Sequence, residues 1–337
     1  MWIVRPARLE DVPAIESLAE GQRARVSTLP RSADRLAEKV NLSMRSFNGT
    51  NAESERARYL FVLEDISTSE LLGTAGIDTC SGNGQPFYTY RRDELIHASH
   101  ELAVTTRVEV LYLSHELTGQ TLLCSFAIAE HLRQSPAFAL LSRSRLLFIA
   151  QWAHLFTDKL IVELQGCQDD AGSSPFWDSL GRHFFDMEFA TADTYSGILS
   201  KTFLAELMPS HPIYVTLLSE AARAALGRPH EAATRSAKLL EKEGFEWGRH
   251  LDIFDGGPTL EATAHDLEQP ARYQFSASSK GSNAPSGQYL VANDSRDQFR
   301  CALTAATAAD DESLELPAEA AAALAIKDGA RLLVVDL

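Results

Sequence analysis

A chain of 337 residues, 45% hydrophobic and 23% charged, has the composition of a globular protein that can bury a sizeable core. Its 31 basic and 46 acidic side chains give a net charge of −15, which argues against non-specific binding to nucleic acid or anionic membranes, because both need a basic surface. The first residues lack a signal-peptide pattern, and no apolar run nears the roughly 18 residues that span a bilayer, so we expect a cytoplasmic protein.

The first half of the chain alternates strand and helix patterns. A short strand leads into an amphipathic helix that has Asp11 as its N-cap. Two apolar runs, YLFVLED and LLGTAGIDT, flank a polar connector and predict an antiparallel hairpin. The other elements predicted here are a helix over about 35–47, strands over 108–114 and 122–129, a helix over about 137–155 and a central strand in KLIVELQG.

The second half repeats a helix and strand rhythm before its composition changes. Two helices end at glycines, and a tight Gly-Gly-Pro turn separates two further strands. Residues 261–288 are rich in Ala, Ser, Gly and Asn, and they are predicted to form a linker or a surface excursion. Strands in GQYLVAN, FRCALTAATA and ARLLVVDL follow, with one helix in PAEAAAALAI. We therefore predict a domain over 1–265 and a small β-rich C-terminal module over 266–337.

The order of these elements indicates the fold class. Mixed strands and helices in this order predict an α/β or α+β sheet with helices on its faces. This order suits acyltransferases of the GNAT type.

Four cysteines, Cys80, Cys124, Cys167 and Cys301, are widely separated. They form no CxxC pair, and no His and Cys residues cluster at metal-ligand spacing. We expect reduced thiols and no metal site.

The stretch LLCSFAIAEHLRQSPAFALLSRSRLLFIA, residues 122–150, is typical of a strand, a short loop and a basic amphipathic helix. Such a junction often cradles a phosphate, because backbone N–H groups and the helix N-terminus face the anion. Glycines normally allow that close approach, yet this stretch contains none. The sequence therefore leaves open whether the junction binds a phosphorylated cofactor.

Acidic and aromatic residues offer further candidates for a site or for the core. Asp252 and Asp255 in LDIFDGGP could pair with a cationic substrate, since a carboxylate matches a guanidinium in bidentate geometry. Asp255 could instead start the following Gly-Gly turn by bonding its own backbone, and we favour that turn. Trp177, Phe184 and Phe185 lie at near-helical spacing, which favours core positions.

Seven segments, in order, resemble the arginine N-succinyltransferase family: YLFVLED, IHAS, LTG, SPFWDSLGRHFFDM, FLAELMPSHPIY, LLEKEGF and DIFDGGPTLEA. The resemblance covers nearly the whole chain and weakens after about Thr263. Single-subunit members have R-x-x-G-x-G after the cofactor strand, whereas this chain has RQSPAF, with Pro136 and Phe138 at the glycine positions and Arg133 kept. This departure resembles the alpha subunits of two-subunit arginine/ornithine N-succinyltransferases, which implies a related beta-subunit partner.

The resemblance implies transfer of a succinyl group from succinyl-CoA to the α-amino group of L-arginine or L-ornithine in arginine catabolism. The family's proton donor is a histidine in a G-x-x-H segment, which falls here on His230 in GRPH. The succinyl-CoA contact falls on Phe126, whose alternative role is a core aromatic on a buried strand. Arg133 is the second predicted succinyl-CoA ligand. No metal, nucleic acid or membrane partner is expected.

The altered loop leaves two functions open. In the first, this subunit is an acyltransferase with an active His230. In the second, it is a non-catalytic structural or regulatory subunit that supports a catalytic beta subunit, because Pro136 removes a backbone donor and Phe138 adds bulk. A plain acetyltransferase fits less well, because the match runs through segments peculiar to succinyltransferases. Selecting succinyl requires a cation for its distal carboxylate, and the candidates are Arg91, Arg92, Arg143 and Arg145.

Overall fold

The computed structural model describes residues 1–22, 28–30, 32–51, 56–169, 172–192, 206–267, 270–276, 287–308 and 313–336. The chain divides into two compact units. The first comprises Met1–Thr79, Leu123–Thr157 and Glu268–Leu337, and the second comprises Cys80–Leu122 and Asp158–Leu267. In the described part of the chain, no helix is both long and apolar enough to span a bilayer.

The strands of the described residues are β1 (Trp2–Pro6), β2 (Arg58–Asp65), β3 (Glu70–Asp78), β4 (Thr89–Ser99), β5 (Val104–Ser114), β6 (Thr121–Ile128), β7 (Lys159–Glu163), β8 (Ile213–Tyr214), β9 (Glu246–Asp252), β10 (Pro258–Thr263), β11 (Ala271–Ser276), β12 (Gly287–Asn293), β13 (Cys301–Ala308), β14 (Ser313–Glu315) and β15 (Arg331–Asp336). The α-helices are α1 (Val12–Glu20), α2 (Ala33–Asn48), α3 (Pro136–Gln151), α4 (Pro175–Ser179), α5 (Arg182–Phe185), α6 (Glu220–Ala225), α7 (Thr234–Lys242) and α8 (Ala318–Ala323).

The first unit is a mixed sheet with helices packed against it. Its strands are ordered β12-β15-β11-β14-β13-β1-β2-β3-β6, and β11 and β14 form a parallel pair. Because side chains alternate along a strand, the run RYLFVLED in β2 supplies two cores. Leu60 and Val62 pack with apolar residues of α1 and α2, whereas Phe61 packs edge-on against Phe148 of α3. A single strand therefore anchors helices through both of its faces.

The second unit has its own sheet and core. Its strands are ordered β7-β10-β9-β4-β5-β8, and the first residues of β6 pair in parallel with β7. The core centres on Trp177 of α4, which is fully buried and whose indole Nε1 donates to Met187 O at 3.0 Å. Phe185 and Phe254 lie against the Trp177 ring, at centroid distances of 5.4 and 5.8 Å.

The mixed sheet flanked by helices that a GNAT-type acyltransferase requires is confirmed, as is the β-rich C-terminal region. The predicted β2–β3 hairpin and the second helix are also confirmed. The predicted domain boundary at residue 266 stays a prediction. In the structure, Glu268–Leu337 belong to the same unit as Met1–Thr79.

Four details of the sequence prediction were wrong. The proposed linker over 261–288 contains the end of β10 and all of β11. The long helix predicted to reach Leu155 ends at Gln151, and a separate 3₁₀ turn follows it. Strand β4 was missed because its distal half is charged and exposed on both faces, so no apolar alternation marks it. Phe184 is 44% exposed, although its neighbour Phe185 is buried as predicted.

A buried histidine links two carboxylates in the second unit. His250 Nδ1 lies 3.1 Å from Glu261 Oε1, and its Nε2 lies 3.4 Å from Glu116 Oε2. The hydrogen bond from His250 and the Lys159 ammonium lower the pKa of Glu261 to about 2, while burial acts in the opposite direction.

This network predicts acid sensitivity. A depressed carboxyl pKa stabilises the fold above the unfolded-state value of 4.5, and that contribution is lost as pH falls toward about 2. We expect the free energy of unfolding to fall across this window, by up to about 3 kcal/mol from Glu261 alone. Urea unfolding at several acidic pH values should show this slope in the wild type and a weaker one in Glu261→Gln. The exposed Glu101→Gln is the matched control, and an equal slope in all three proteins would contradict the prediction.

Candidate active site

Strand β6 leaves its β7 partner early. The described pairing between the two strands comprises Thr121 with Leu160 and Leu122 with Ile161. Farther along β6, Ser125 has a left-handed backbone with φ of 54°, which is unusual for a residue with a side chain. Strained backbone of this kind clusters at functional sites.

Side chains hold the backbone of Ser125 in this conformation. The Ser125 N–H donates to Thr28 Oγ1 at 2.8 Å, and its carbonyl accepts from Thr74 Oγ1 at 2.9 Å. Gly76 on β3 provides the space, because a Cβ at that position would come within 3.2 Å of Ser125 Cβ. The irregular geometry is therefore specified by residues from several elements of the first unit.

Phe126, the predicted succinyl-CoA contact, packs beneath α3. Its ring makes an edge contact with the ring of Phe138 at a centroid distance of 5.0 Å. The guanidinium of Arg145 lies 5.3 Å from the Phe126 ring centroid. The half-buried side chain of Phe126 is thus engaged in packing contacts. The assignment of Phe126 to succinyl-CoA stays a prediction.

The RQSPAF loop ends in a helix start whose backbone donors are partly used. Ser135 is the N-cap of α3, and its Oγ accepts from Ala137 N at 3.2 Å. Pro136 has no N–H, and Phe138 N donates to Ser135 O at 3.2 Å. Phe138 is also 2% exposed, so its side chain fills the space beside Phe126. This helix start offers an anion fewer donors than a glycine loop does.

Arg133 is held by neighbouring polar side chains. Its Nε lies 2.8 Å from Glu130 Oε2, and its NH2 donates to Gln22 Oε1 at 2.8 Å. The side chain remains 19% exposed. Its predicted role in binding succinyl-CoA is untested, and it would require exchange of one of these partners for phosphate.

His230 belongs to the second unit, whereas Phe126 and Arg133 belong to the first. The His230 N–H donates to Gln165 O at 2.7 Å, and the adjacent Pro229 bridges to Gly166. The Nδ1 atom accepts from Ala232 N at 3.1 Å, so the imidazole caps the 3₁₀ turn Glu231–Ala233. Because Nδ1 accepts, the neutral ring carries its proton on Nε2.

The two aspartates near the Gly-Gly turn have structural roles, and the favoured turn interpretation is confirmed. Asp255 Oδ1 accepts from Gly257 N at 2.8 Å, and its Oδ2 accepts from Gly166 N at 2.7 Å. Asp252 Oδ1 accepts from Phe254 N at 2.7 Å. Through Gly166, which bridges to Pro229, the Asp255 carboxylate supports the backbone next to His230.

The four arginines considered for the succinyl carboxylate differ in their partners. Arg91 pairs with Glu116 and Asp93, and Arg92 pairs with Glu109. Arg143 donates to the carbonyl of Asp336. Arg145 donates to Ser142 and contacts Phe126, and burial lowers its pKa to about 10.

Sequence comparison identifies the family of this chain. A family model described as arginine N-succinyltransferase beta subunit matches residues 2–269, and one for the C-terminal domain of that subunit matches residues 276–336. Arginine N-succinyltransferase subunit alpha of Pseudomonas aeruginosa is 40% identical over 336 residues, covering 99% of each chain. This chain belongs to the arginine N-succinyltransferase family. The predicted resemblance and the assignment as an acyltransferase are therefore confirmed.

Both kinds of arginine N-succinyltransferase subunit resemble the chain. Subunit beta of Pseudomonas aeruginosa is 42% identical over 308 residues, which cover 91% of this chain and 89% of that protein. A solved structure of arginine/ornithine succinyltransferase subunit AI from Pseudomonas aeruginosa has a TM-score of 0.89 and 35% identity, and the match covers 100% of this chain and 98% of that chain. The full-length match to subunit alpha agrees with the predicted subunit type.

Sequence reasoning missed part of the β6 site. Lys39 and Thr28 both bond to Ser125, and none of the three was singled out. Lys39 looks like an ordinary polar residue of an amphipathic helix, so its burial could not be predicted from spacing alone. A lysine on the apolar side of α2 is the one signal that could have indicated it.

Proposed function

We propose that this chain is a subunit of an arginine/ornithine N-succinyltransferase that transfers succinyl from succinyl-CoA to the α-amino group of L-arginine or L-ornithine. The names of its relatives support the reaction, and the fixed imidazole of His230 is the observation that carries a catalytic role for this chain. A histidine with one nitrogen bonded to backbone presents the other to a ligand in a single tautomer.

The reaction has three chemical requirements. The acceptor must be a neutral amine, because an α-amino group has a pKa of roughly 8 and is partly ammonium at neutral pH. Its nitrogen bonds to the thioester carbon, and the C–S bond then breaks. The amine loses one proton, and the departing CoA thiolate gains one, so the products are the amide and free thiol. Donors fixed near the oxyanion and the sulfur lower the barrier.

His230 is proposed to serve the leaving group. With Nδ1 accepting from Ala232 N, Nε2 is the ring nitrogen that we propose to face the CoA sulfur. A neutral imidazole that acts as a hydrogen-bond donor at a developing charge is established chemistry for a histidine held at a helix start. The proton lost by the amine passes to the departing thiolate, and the hydrogen bond from Nε2–H stabilises the charge on the sulfur during that transfer.

Strand β6 is proposed to bind the pantetheine arm of succinyl-CoA. The described β6–β7 pairing ends at Leu122, so the backbone around Phe126 supplies the contacts, and Arg133 would approach the pyrophosphate. Succinyl-CoA is a co-substrate in this scheme. The second chain is a related beta subunit, as the names of the relatives suggest.

The proposed function is tested by measuring thiol release from succinyl-CoA, with arginine and then ornithine as acceptors. Two preparations are assayed: the chain alone, and the chain with its related partner. We expect acceptor-dependent release, because the family segments and the fixed histidine are present. No release in either preparation, with both acceptors, would contradict the proposed reaction.

A second function is favoured by one observation. The start of α3 lacks the backbone donor of Pro136, and Phe138 stands at the second glycine position of the family loop. A chain that binds succinyl-CoA weakly could act as a non-catalytic subunit supporting its partner. Release by the pair that survives loss of His230 would favour this alternative.

Restoring the glycine loop should strengthen binding of the acyl donor. We expect the double substitution Pro136→Gly, Phe138→Gly to lower the Kd for succinyl-CoA about tenfold, because it adds a backbone donor and removes bulk. Calorimetric titration measures this change. Pro175→Gly, at the start of α4, is the matched control for the loss of a helix-initiating proline. An unchanged Kd in a variant that still folds would show that the loop does not limit binding.

A further inference from the structure

Lys39 is a buried cation of the first unit that has no acidic partner among the described residues. Lys39 on α2 is 8% exposed, and its Nζ donates to Thr28 O at 2.7 Å and to Ser125 Oγ at 2.8 Å. Among the described residues, no carboxylate oxygen lies within 4.0 Å of this ammonium group. Buried charges are normally paired, because an isolated ion costs several kcal/mol to remove from water.

The groups around Lys39 do not neutralise it. Cys124 Sγ lies 3.6 Å from Ser125 Oγ, and burial raises the pKa of this thiol, so it is uncharged at neutral pH. The Asp78 carboxylate lies 3.0 Å from Arg58 NH2, which balances its charge. An ammonium group has three N–H donors, and Lys39 uses two of them on neutral oxygens. Its charge and its third donor remain for an anion.

Lys39 lies next to the part of β6 that is predicted to contact the acyl donor. Its partner Ser125 has the left-handed backbone and immediately precedes Phe126, the residue predicted to contact succinyl-CoA. Two independent features, a strained serine and a cation without a counter-ion, therefore meet at one point of β6. A structural clamp alone would not need a full charge, because a neutral donor could hold Thr28 O.

We propose that Lys39, assisted by the Ser125 hydroxyl, binds the distal carboxylate of the acyl group and so selects a dicarboxylic acyl donor. The inference rests on the proposed function, since it takes succinyl-CoA as the donor. Arg91 and Arg92 are less suited because each is already paired with a carboxylate. Arg143 is held by a backbone carbonyl, and Arg145 is held by Ser142 and the Phe126 ring.

The test compares two acyl donors of equal chain length. Succinyl-CoA carries the distal carboxylate and butyryl-CoA carries a methyl group instead. We would measure the Kd of each donor by calorimetry for the wild type, Lys39→Met and Arg145→Met. Arg145→Met tests the competing candidate, because it removes another buried cation beside β6 and that cation contacts Phe126. Thermal unfolding shows whether each variant folds.

Lys39→Met should weaken succinyl-CoA binding roughly 100-fold, as expected for removing one partner of a buried charge pair. Butyryl-CoA binding should change by less than about threefold, and Arg145→Met should leave the ratio of the two Kd values unchanged. Equal losses for both donors, or no preference for succinyl-CoA in the wild type, would overturn the role of Lys39. If Lys39→Met does not fold, Lys39→Gln gives the same comparison with a neutral hydrogen-bond donor.

These binding ratios separate the inference from the proposed reaction. A wild type that prefers succinyl-CoA through Lys39, yet transfers no succinyl group to arginine or ornithine, would keep the inference and reject the acceptor assignment. Transfer of succinyl to arginine or ornithine, with an unchanged ratio of the two Kd values in Lys39→Met, would keep the proposed reaction and reject the role of Lys39.

Discussion

His230→Ala is expected to lower kcat for succinyl transfer by about 100-fold to 10,000-fold, the range for loss of a positioned acid or base. The reason is that Nε2–H is the proposed donor to the departing sulfur, and Nδ1 is already committed to Ala232 N. Thiol release at saturating succinyl-CoA and arginine measures the effect, in the preparation that is active as wild type. The KM for succinyl-CoA should change much less than kcat.

His230 also has a structural role that must be separated from the chemical one. Its ring caps the 3₁₀ turn Glu231–Ala233, so alanine removes a cap as well as a donor. His230→Asn retains a side-chain acceptor for the turn, and we expect it to keep the wild-type Tm while losing activity. His265→Ala is the control at an exposed histidine. Activity of His230→Asn near the wild-type level would remove this residue from the mechanism.

Trp177→Ala is expected to lower the free energy of unfolding by about 3–5 kcal/mol. The indole is fully buried, is surrounded by Phe185, Phe189 and Phe254, and donates a hydrogen bond to Met187 O. Gly181 adds to the cost, because the indole occupies the space where a Cβ of residue 181 would lie, 2.3 Å from Trp177 Cε3.

Urea unfolding followed by circular dichroism measures this loss. Trp247→Ala is the matched control, because Trp247 is 46% exposed on β9 and we expect a change below about 1 kcal/mol. Trp177→Phe should fall between the two, since it keeps an aromatic ring but loses the donor to Met187 O. Similar losses for Trp177→Ala and Trp247→Ala would contradict the assignment of Trp177 as the centre of this core.

The parts of the fold that sequence predicted are those with strong local patterns. The β2–β3 hairpin follows from two apolar runs and a polar connector, and α2 from helical periodicity that ends at Gly49 in the left-handed conformation. Strand β4 has no such pattern, because beyond Arg91 it pairs with β5 alone among the described strands and stays exposed. Strand β11 lies in a stretch whose composition favours a loop, and pairing with β15 makes it a strand.

The candidate site likewise contains features that the sequence indicated and features that it did not. The family segments led to His230, Phe126 and Arg133, but sequence alone could not indicate that Phe126 packs on Phe138 or that Arg133 is held by Glu130. Lys39 and Ser125 are 86 positions apart in the sequence, so their hydrogen bond has no local signal. The Asp255 turn was predictable because its bond to Gly257 is formed within one short segment.

The most direct test of the central claim is product analysis with isotopically labelled succinyl-CoA. The chain and its related partner would be incubated with arginine, and the product examined by mass spectrometry and NMR. We predict a labelled succinyl amide on the α-amino nitrogen, with free CoA released in equal amount. Unlabelled arginine after complete incubation, or label on the guanidinium nitrogen, would contradict the account.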